Sequence, residues 1–257
     1  MSYSIYLVSL ARDEARRQAL AARFPQHASA FQLVEAVDGR AMPARAFFER
    51  TVDFYHNYRR LMSPAELGCT LSHLQAYETF LQTTAKRALV LEDDIEGDDA
   101  ALAQVLALAG ELPDDAILIA GGQQGLVSRK RLYGKPTATP GLYQLADYSY
   151  PHIKRTCGYV ITKQSAEQLL QRGRATTLVA DGWDRYVAGT GIRLYYAPLL
   201  SHPELLAGSH IERDRLDLDP GFWQKVFSPR LPRKLRQYVQ DICFQVTRAL
   251  HGYRRLP

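Results

Sequence analysis

Short aliphatic runs alternate with amphipathic stretches along most of this chain, and few folds accept that alternation. "SIYLVS", "FQLVEAVDG", "RALVLEDD", "DAILIAGG", "CGYVIT" and "IRLYYAPLL" read as strands, because they are short, apolar and set between helical patterns or turn residues. "DEARRQALAARF" reads as a helix with Ala15, Ala19 and Ala22 on one side, and "KQSAEQLLQRG" as another. Strands alternating with helices predict an α/β domain whose sheet is mostly parallel and covered on both faces. Ligands of such sheets sit at the carboxyl ends of strands.

The firmest local expectation is the helix in "SPAELGCTLSHLQAYETFLQ". Ser63 stands at the N-cap, Pro64 at the first helical position and Glu66 three residues after the cap, which is a capping-box pattern. Leu67, Leu71, Leu74 and Leu81 follow at helical spacing. Before it lies a connection bearing Pro and Arg up to Ser63. Between Gly121 and Arg155 runs a segment with scattered Gly and Pro and with Tyr133, Tyr143, Tyr148 and Tyr150. Long connections of this kind are often functional, so it is a candidate binding surface, the alternative being tyrosines that pack the loop onto the sheet.

The net charge of +5 is unevenly placed. From Lys225 onward eight Lys or Arg face Asp241 alone, a net +7 that leaves −2 for the rest. The body therefore gives no reason to expect nucleic-acid binding. Cys69, Cys157 and Cys243 are too few and too widely spaced for a disulfide framework or a paired-cysteine zinc site. No stretch offers the ~18 apolar residues of a membrane span, and "MSYSIYLVSLARDEARR" lacks the features of a secretory signal. A cytoplasmic protein is expected.

"LVLEDDI" closes a strand with three adjacent carboxylates, Glu92, Asp93 and Asp94. In an extended chain Glu92 and Asp94 point to one side and Asp93 to the other, so one face offers two oxygen ligands to a hard cation such as Mg²⁺ or Mn²⁺. A solvated acidic turn leading to a helix capped by Asp98 is the plain alternative. Asp181 and Asp184 in "VADGWDRY" equally suit a helix cap and its first turn. His73 shares a helical face with Glu66, Thr70 and Tyr77, as a core histidine would. His202 and His210 follow the last strand. No P-loop or dinucleotide fingerprint is present.

Seven stretches in order, "IYLVSLARDEARR", "AVDGR", "AELGCTLSHLQAYE", "RALVLEDDI", "RTCGYVITKQSAEQLL", "VADGWDRY" and "GSHIERDR", together resemble glycosyltransferase family 25, and more closely its bacterial β-galactosyltransferases that extend lipooligosaccharide. The resemblance implies a GT-A fold with a Rossmann-like sheet, a nucleotide-sugar half over about 1–120 and an acceptor half over about 121–224. It implies a UDP-sugar donor, most simply UDP-galactose, a lipooligosaccharide acceptor and a Mn²⁺ or Mg²⁺ ion. Carried onto this chain, it makes Asp94 the metal ligand, assisted by Glu92 and with His202 as a third, and Asp181 the catalytic base. Leu10, Arg12, Asp38, Gly39, Gly68, Ser72, His73, Glu92 and Asp93 would line the donor. The competing readings are a metal-dependent phosphoryl-transfer enzyme and a non-catalytic membrane-associated binding protein.

Residues 225–257 form a separate appendage. Leu235, Val239, Ile242, Val246 and Leu250 make one apolar stripe flanked by arginines, which suits a basic amphipathic helix on an anionic membrane surface. This places the protein at the inner face of the cytoplasmic membrane. The alternative is a helix docked on the body.

Overall fold

The computed structural model describes residues 3–203, 241–248 and 250–256. In chain order the elements are β1 (Tyr3–Ser9), α1 (Glu14–Arg23), β2 (Phe31–Glu35), α2 (Ala44–Tyr58), α3 (Pro64–Leu81), β3 (Arg87–Glu92), α4 (Asp99–Gly110), β4 (Ala116–Gly121), β5 (Tyr133–Pro136), β6 (Tyr143–Leu145), β7 (Gly158–Thr162), α5 (Lys163–Ala175), α6 (Trp183–Val187), β8 (Arg193–Leu200) and β9 (Arg254–Arg255).

The nine described strands join one sheet in the order β2-β1-β3-β7-β4-β8-β6-β5-β9. The expected α/β class holds, but the sheet is mixed rather than mostly parallel. β1 is parallel to β2 and β3, and β4 to β8, whereas β7 runs antiparallel between β3 and β4. The physical reason lies in the connections. Parallel neighbours need a crossover, and α4 carries the chain from β3 to β4 two places away, leaving a gap that β7 fills from the opposite direction. The segment before β7 contains the hairpin β5–β6 and short 3-10 turns rather than a crossover α-helix. Strands from the two expected halves thus interleave in one sheet.

Alternation along the strands builds a core on each face. Ala88 and Val90 of β3 and Ile117 and Ile119 of β4 meet Tyr77 and Phe80 of α3, Leu169 of α5 and Trp183 of α6. Leu89, Leu91, Leu118 and Ala120 meet Leu20 of α1 and Leu102 and Val105 of α4. Every residue of β4 is buried, as expected for a strand covered on both sides.

The capping box at α3 forms as read: Glu66 N donates to Ser63 Oγ at 3.1 Å and Ser63 N to Glu66 Oε2 at 2.9 Å. Asp98 caps α4, accepting from Ala101 N at 2.8 Å. Two expectations need correction. The connection before Ser63 contains α2, a 15-residue helix, whose few buried side chains, Thr51 and Phe54, give little periodic signal. In α1 the alanine side is exposed; Leu20 is the buried residue, and Arg16 and Arg17 are half-buried instead.

The tyrosines of the 121–155 segment follow the packing alternative. Tyr148 stacks on Phe244 with centroids 4.1 Å apart, Tyr133 meets Phe244 edge-on, and the Tyr150 hydroxyl accepts from Leu194 N at 3.1 Å. They dock the described end of the chain, where residues 241–247 are helical and β9 pairs with β5. Leu235, Val239 and His210 lie outside the described residues. No described helix is long and apolar enough to cross a membrane.

Candidate active site

The carboxyl ends of β1 and β3, the entry to β7 and the first turns of α3 enclose a cavity of about 330 Å³. Because β7 is antiparallel to β3, Leu91 pairs with Gly158, and Glu92 N donates to Cys157 O at 2.9 Å. That register delivers Lys154, Arg155 and Thr156 to the same rim as the acidic triplet.

Glu92 and Asp94 do not share a face, because β3 ends at Glu92 and the chain turns at Asp93 and Asp94. Glu92 Oε1 receives the Thr156 hydroxyl and faces His73 Nε2 at 3.0 Å. Asp93 and Asp94 are held together by one cation. Arg16 Nη1 lies 2.8 Å from Asp93 Oδ1, and Arg16 Nη2 lies 3.0 Å from Asp94 Oδ2. His202 Nε2 approaches the same Asp94 oxygen at 3.4 Å. Asp94 Oδ1 is buried and has no hydrogen-bond partner among the described residues.

These environments separate the two aspartates. Burial pushes Asp93 up to about 6, although Ser9 and Arg16 oppose it. Burial also presses on Asp94, but His202 and Arg16 outweigh it and hold its carboxyl below the ordinary range. His202 moves in the complementary direction: burial lowers it, and the Asp94 carboxylate more than restores it.

The remaining predicted residues divide between cavity wall and support. Leu10, Arg12, Asp38, Gly39, Ser72, His73 and Asp181 all line the cavity. Arg12 and Asp38 form an ion pair at its mouth, whose hydrogen bond draws the Asp38 carboxyl down. Gly68 is not on the wall. A Cβ there would stand 2.5 Å from Val37 O, and one on Gly39 would stand 1.8 Å from Pro64 O, so both glycines let the loop after β2 cross the start of α3. Ser72 Oγ pins that loop, accepting from Val37 N at 2.8 Å.

Asp181 is not a helix cap. The N-cap of α6 is Gly182, without a side-chain bond, while Asp181 Oδ2 accepts from Arg155 N at 3.4 Å. Arg155 adopts left-handed backbone with φ 67°, a conformation that a non-glycine residue holds only where its surroundings fix it. Its guanidinium is anchored on Gly122 O at 2.8 Å and Gln124 O at 3.1 Å. None of the four tyrosines lines the cavity.

The sequence reading missed Arg16, Lys154, Arg155, Thr156 and Cys69. Only Arg16 left a signal, as a basic residue in the first turn of a helix just beyond a strand end.

The site can accommodate a cation among oxygens and an imidazole beside several basic groups. A family model described as Glycosyltransferase family 25 (LPS biosynthesis protein) matches residues 2–182, a span that holds every cavity residue except His202. The chain belongs to glycosyltransferase family 25. Curated relatives include a family 25 member of Aedes aegypti, 32% identical over 68% of this chain and 29% of that one. Procollagen galactosyltransferase 2 of Homo sapiens is 28% identical over 65% of this chain and 27% of that one. The family 25 chain thus spans under a third of the length of these relatives. Among solved structures, the inositol-1-phosphate CTP transferase of T. maritima gives a TM-score of 0.41 at 10% identity, over 84% of this chain and 94% of that one.

Proposed function

We propose that the cavity binds a UDP-sugar together with Mn²⁺ or Mg²⁺ and transfers the hexose, galactose in the simplest case, to a sugar hydroxyl of a lipooligosaccharide or lipopolysaccharide acceptor. The family description supports the acceptor class, and the name of the human relative supports galactose.

One observation carries the reading. Among the described residues, Asp94 Oδ1 is buried without a partner beside the His202 imidazole, at a carboxyl strand end facing a cavity. A buried carboxylate oxygen without a partner is costly, and a divalent cation is the partner this donor set fits. Asp94 and His202 would hold the ion, with Glu92 reaching it through water or contacting the ribose. The ion when bound would neutralise charge on the leaving diphosphate.

The chain's own residues supply the rest. Arg12 and Asp38 mark the end of the cavity for the uridine, and Lys154 brings a cation toward the diphosphate. The acceptor oxygen forms its bond to the anomeric carbon as the bond to UDP breaks, and UDP leaves with the electron pair. Asp181, held by Arg155 N, takes the acceptor proton. One displacement inverts the anomeric centre, so no protein nucleophile is required. The exposed apolar stripe near the C-terminus, Ile242, Val246 and Leu250, would hold the enzyme against the anionic surface that carries such acceptors.

UDP release from a panel of UDP-sugars, with a lipooligosaccharide-derived acceptor, tests this reading. Release that requires both acceptor and Mn²⁺ supports it; release unchanged by excess chelator removes the metal from it.

A further inference from the structure

Cys69 and His73 stand one turn apart on the face of α3 that looks at the end of β3, an i, i+4 spacing that brings side chains together. The ligand atoms of Cys69, His73 and Glu92 all lie within 4.8 Å of one another, and among the described residues this is the one group of three potential ligands so placed. All three line the cavity.

The hydrogen bonds around His73 give a second, independent observation. Tyr159 donates its hydroxyl hydrogen to Tyr77 at 2.9 Å, so its oxygen is open to a hydrogen from His73 Nδ1, 2.7 Å away. With Nδ1 engaged by Tyr159, Nε2 is the ring nitrogen that faces Glu92 Oε1, at 3.0 Å. Two ligands of a tetrahedral zinc ion, each ~2.0 Å from the metal, stand about 3.3 Å apart, close to the spacing seen.

We propose that Cys69, His73 and Glu92 form a thiophilic metal site for Zn²⁺, separate from Asp94 and His202, with its fourth position open to the cavity. Its donor set of thiolate, imidazole and carboxylate favours zinc over magnesium or manganese, which prefer oxygen. Tyr159 orients the imidazole from behind, as outer partners of metal-binding histidines do. On binding, Nε2 ligates in the tautomer that keeps its hydrogen on Nδ1, and the thiol proton leaves to solvent. Zinc there would draw Glu92 away from the donor and inhibit transfer. That consequence rests on the proposed function; the binding does not.

Cobalt(II) titration of the full chain reads the site without any assay of turnover. A saturable thiolate-to-cobalt charge-transfer band with one ion per chain is expected, displaced by Zn²⁺ and not by Mg²⁺. Cys69→Ala should abolish the band, Cys243→Ser should keep it, and Tyr159→Phe should weaken binding about 10- to 100-fold. The absence of a band in the native protein, or a band that survives in Cys69→Ala, overturns the proposal. Should Cys69→Ala fail to fold, as a thermal melt will show, loss of the band in Cys243→Ser overturns it instead. A chain that shows the band yet transfers no sugar would keep the zinc site and discard the transferase reading.

Discussion

Ser9 donates its hydroxyl hydrogen to Asp93 Oδ2 at 2.6 Å, tying the end of β1 to the turn after β3 across 84 residues of sequence. Both residues are buried, and Ser9 Oγ also accepts from Arg17 Nη1 at 3.0 Å. The middle acid of the triplet is therefore a structural post that fixes where Glu92 and Asp94 stand.

Ser9→Ala leaves a buried carboxyl short of a partner, which costs about 1–3 kcal/mol. Urea unfolding at neutral pH should show that loss. A change under about 0.5 kcal/mol, ordinary for a surface site, would mean the contact fixes nothing.

Asp181 is expected to act on the acceptor and not on the donor. Asp181→Asn should lower kcat about 10²- to 10⁴-fold, with UDP affinity and Tm close to native. If UDP binding collapses with turnover, Asp181 belongs to the donor site and the assigned proton transfer is wrong.

The division between legible and illegible follows local chemistry. The start of α3 was legible because Ser63, Pro64 and Glu66 carry their cap in sequence, and β3 and β4 because their buried centres, "ALVL" and "AILIA", read as apolar runs. Residues Arg155 and Thr156 were invisible as site residues because their role depends on the direction of β7, which the connections decide and no local pattern records. The grouping of the acids was misread for a related reason. Alternation holds only while the chain stays extended, and it turns at Asp93, so Asp94 shares Arg16 with Asp93 rather than a face with Glu92. The tyrosines of the 121–155 segment looked like a binding surface, yet Tyr133 and Tyr148 pack on Phe244, which lies about a hundred residues away in sequence.

At the C-terminus, Ile242, Val246 and Leu250 are 48%, 71% and 84% exposed while Phe244 packs inward. Docking on the body and an outward apolar stripe thus coexist. Sedimentation with anionic vesicles should retain the native protein, less so in high salt. Val246→Glu should reduce retention without changing Tm. Equal retention on neutral vesicles, or none on anionic ones, counts against a membrane role.

His152 gives a pH dependence of stability. Burial, with Arg131 nearby, lowers its imidazole to about 4 from the ordinary 6.5. The unfolded chain takes up the proton near pH 6.5 and the folded chain only near 4, so this stability is complete above 6.5 and is lost as pH falls toward 4. Between pH 7 and pH 5 the native protein should lose about 2 kcal/mol by this route. His152→Gln should flatten the acid side of the profile, and identical profiles for the two proteins would show that His152 is protonated in the folded chain.

The central claim, that Asp94 holds the ion that carries the nucleotide, is tested most directly by calorimetric titration of UDP with and without Mn²⁺. Native protein should bind UDP tightly only with the metal, and Asp94→Asn, folded and with native Tm, should bind alike in both conditions. A variant that binds UDP with native, metal-dependent affinity would contradict the account.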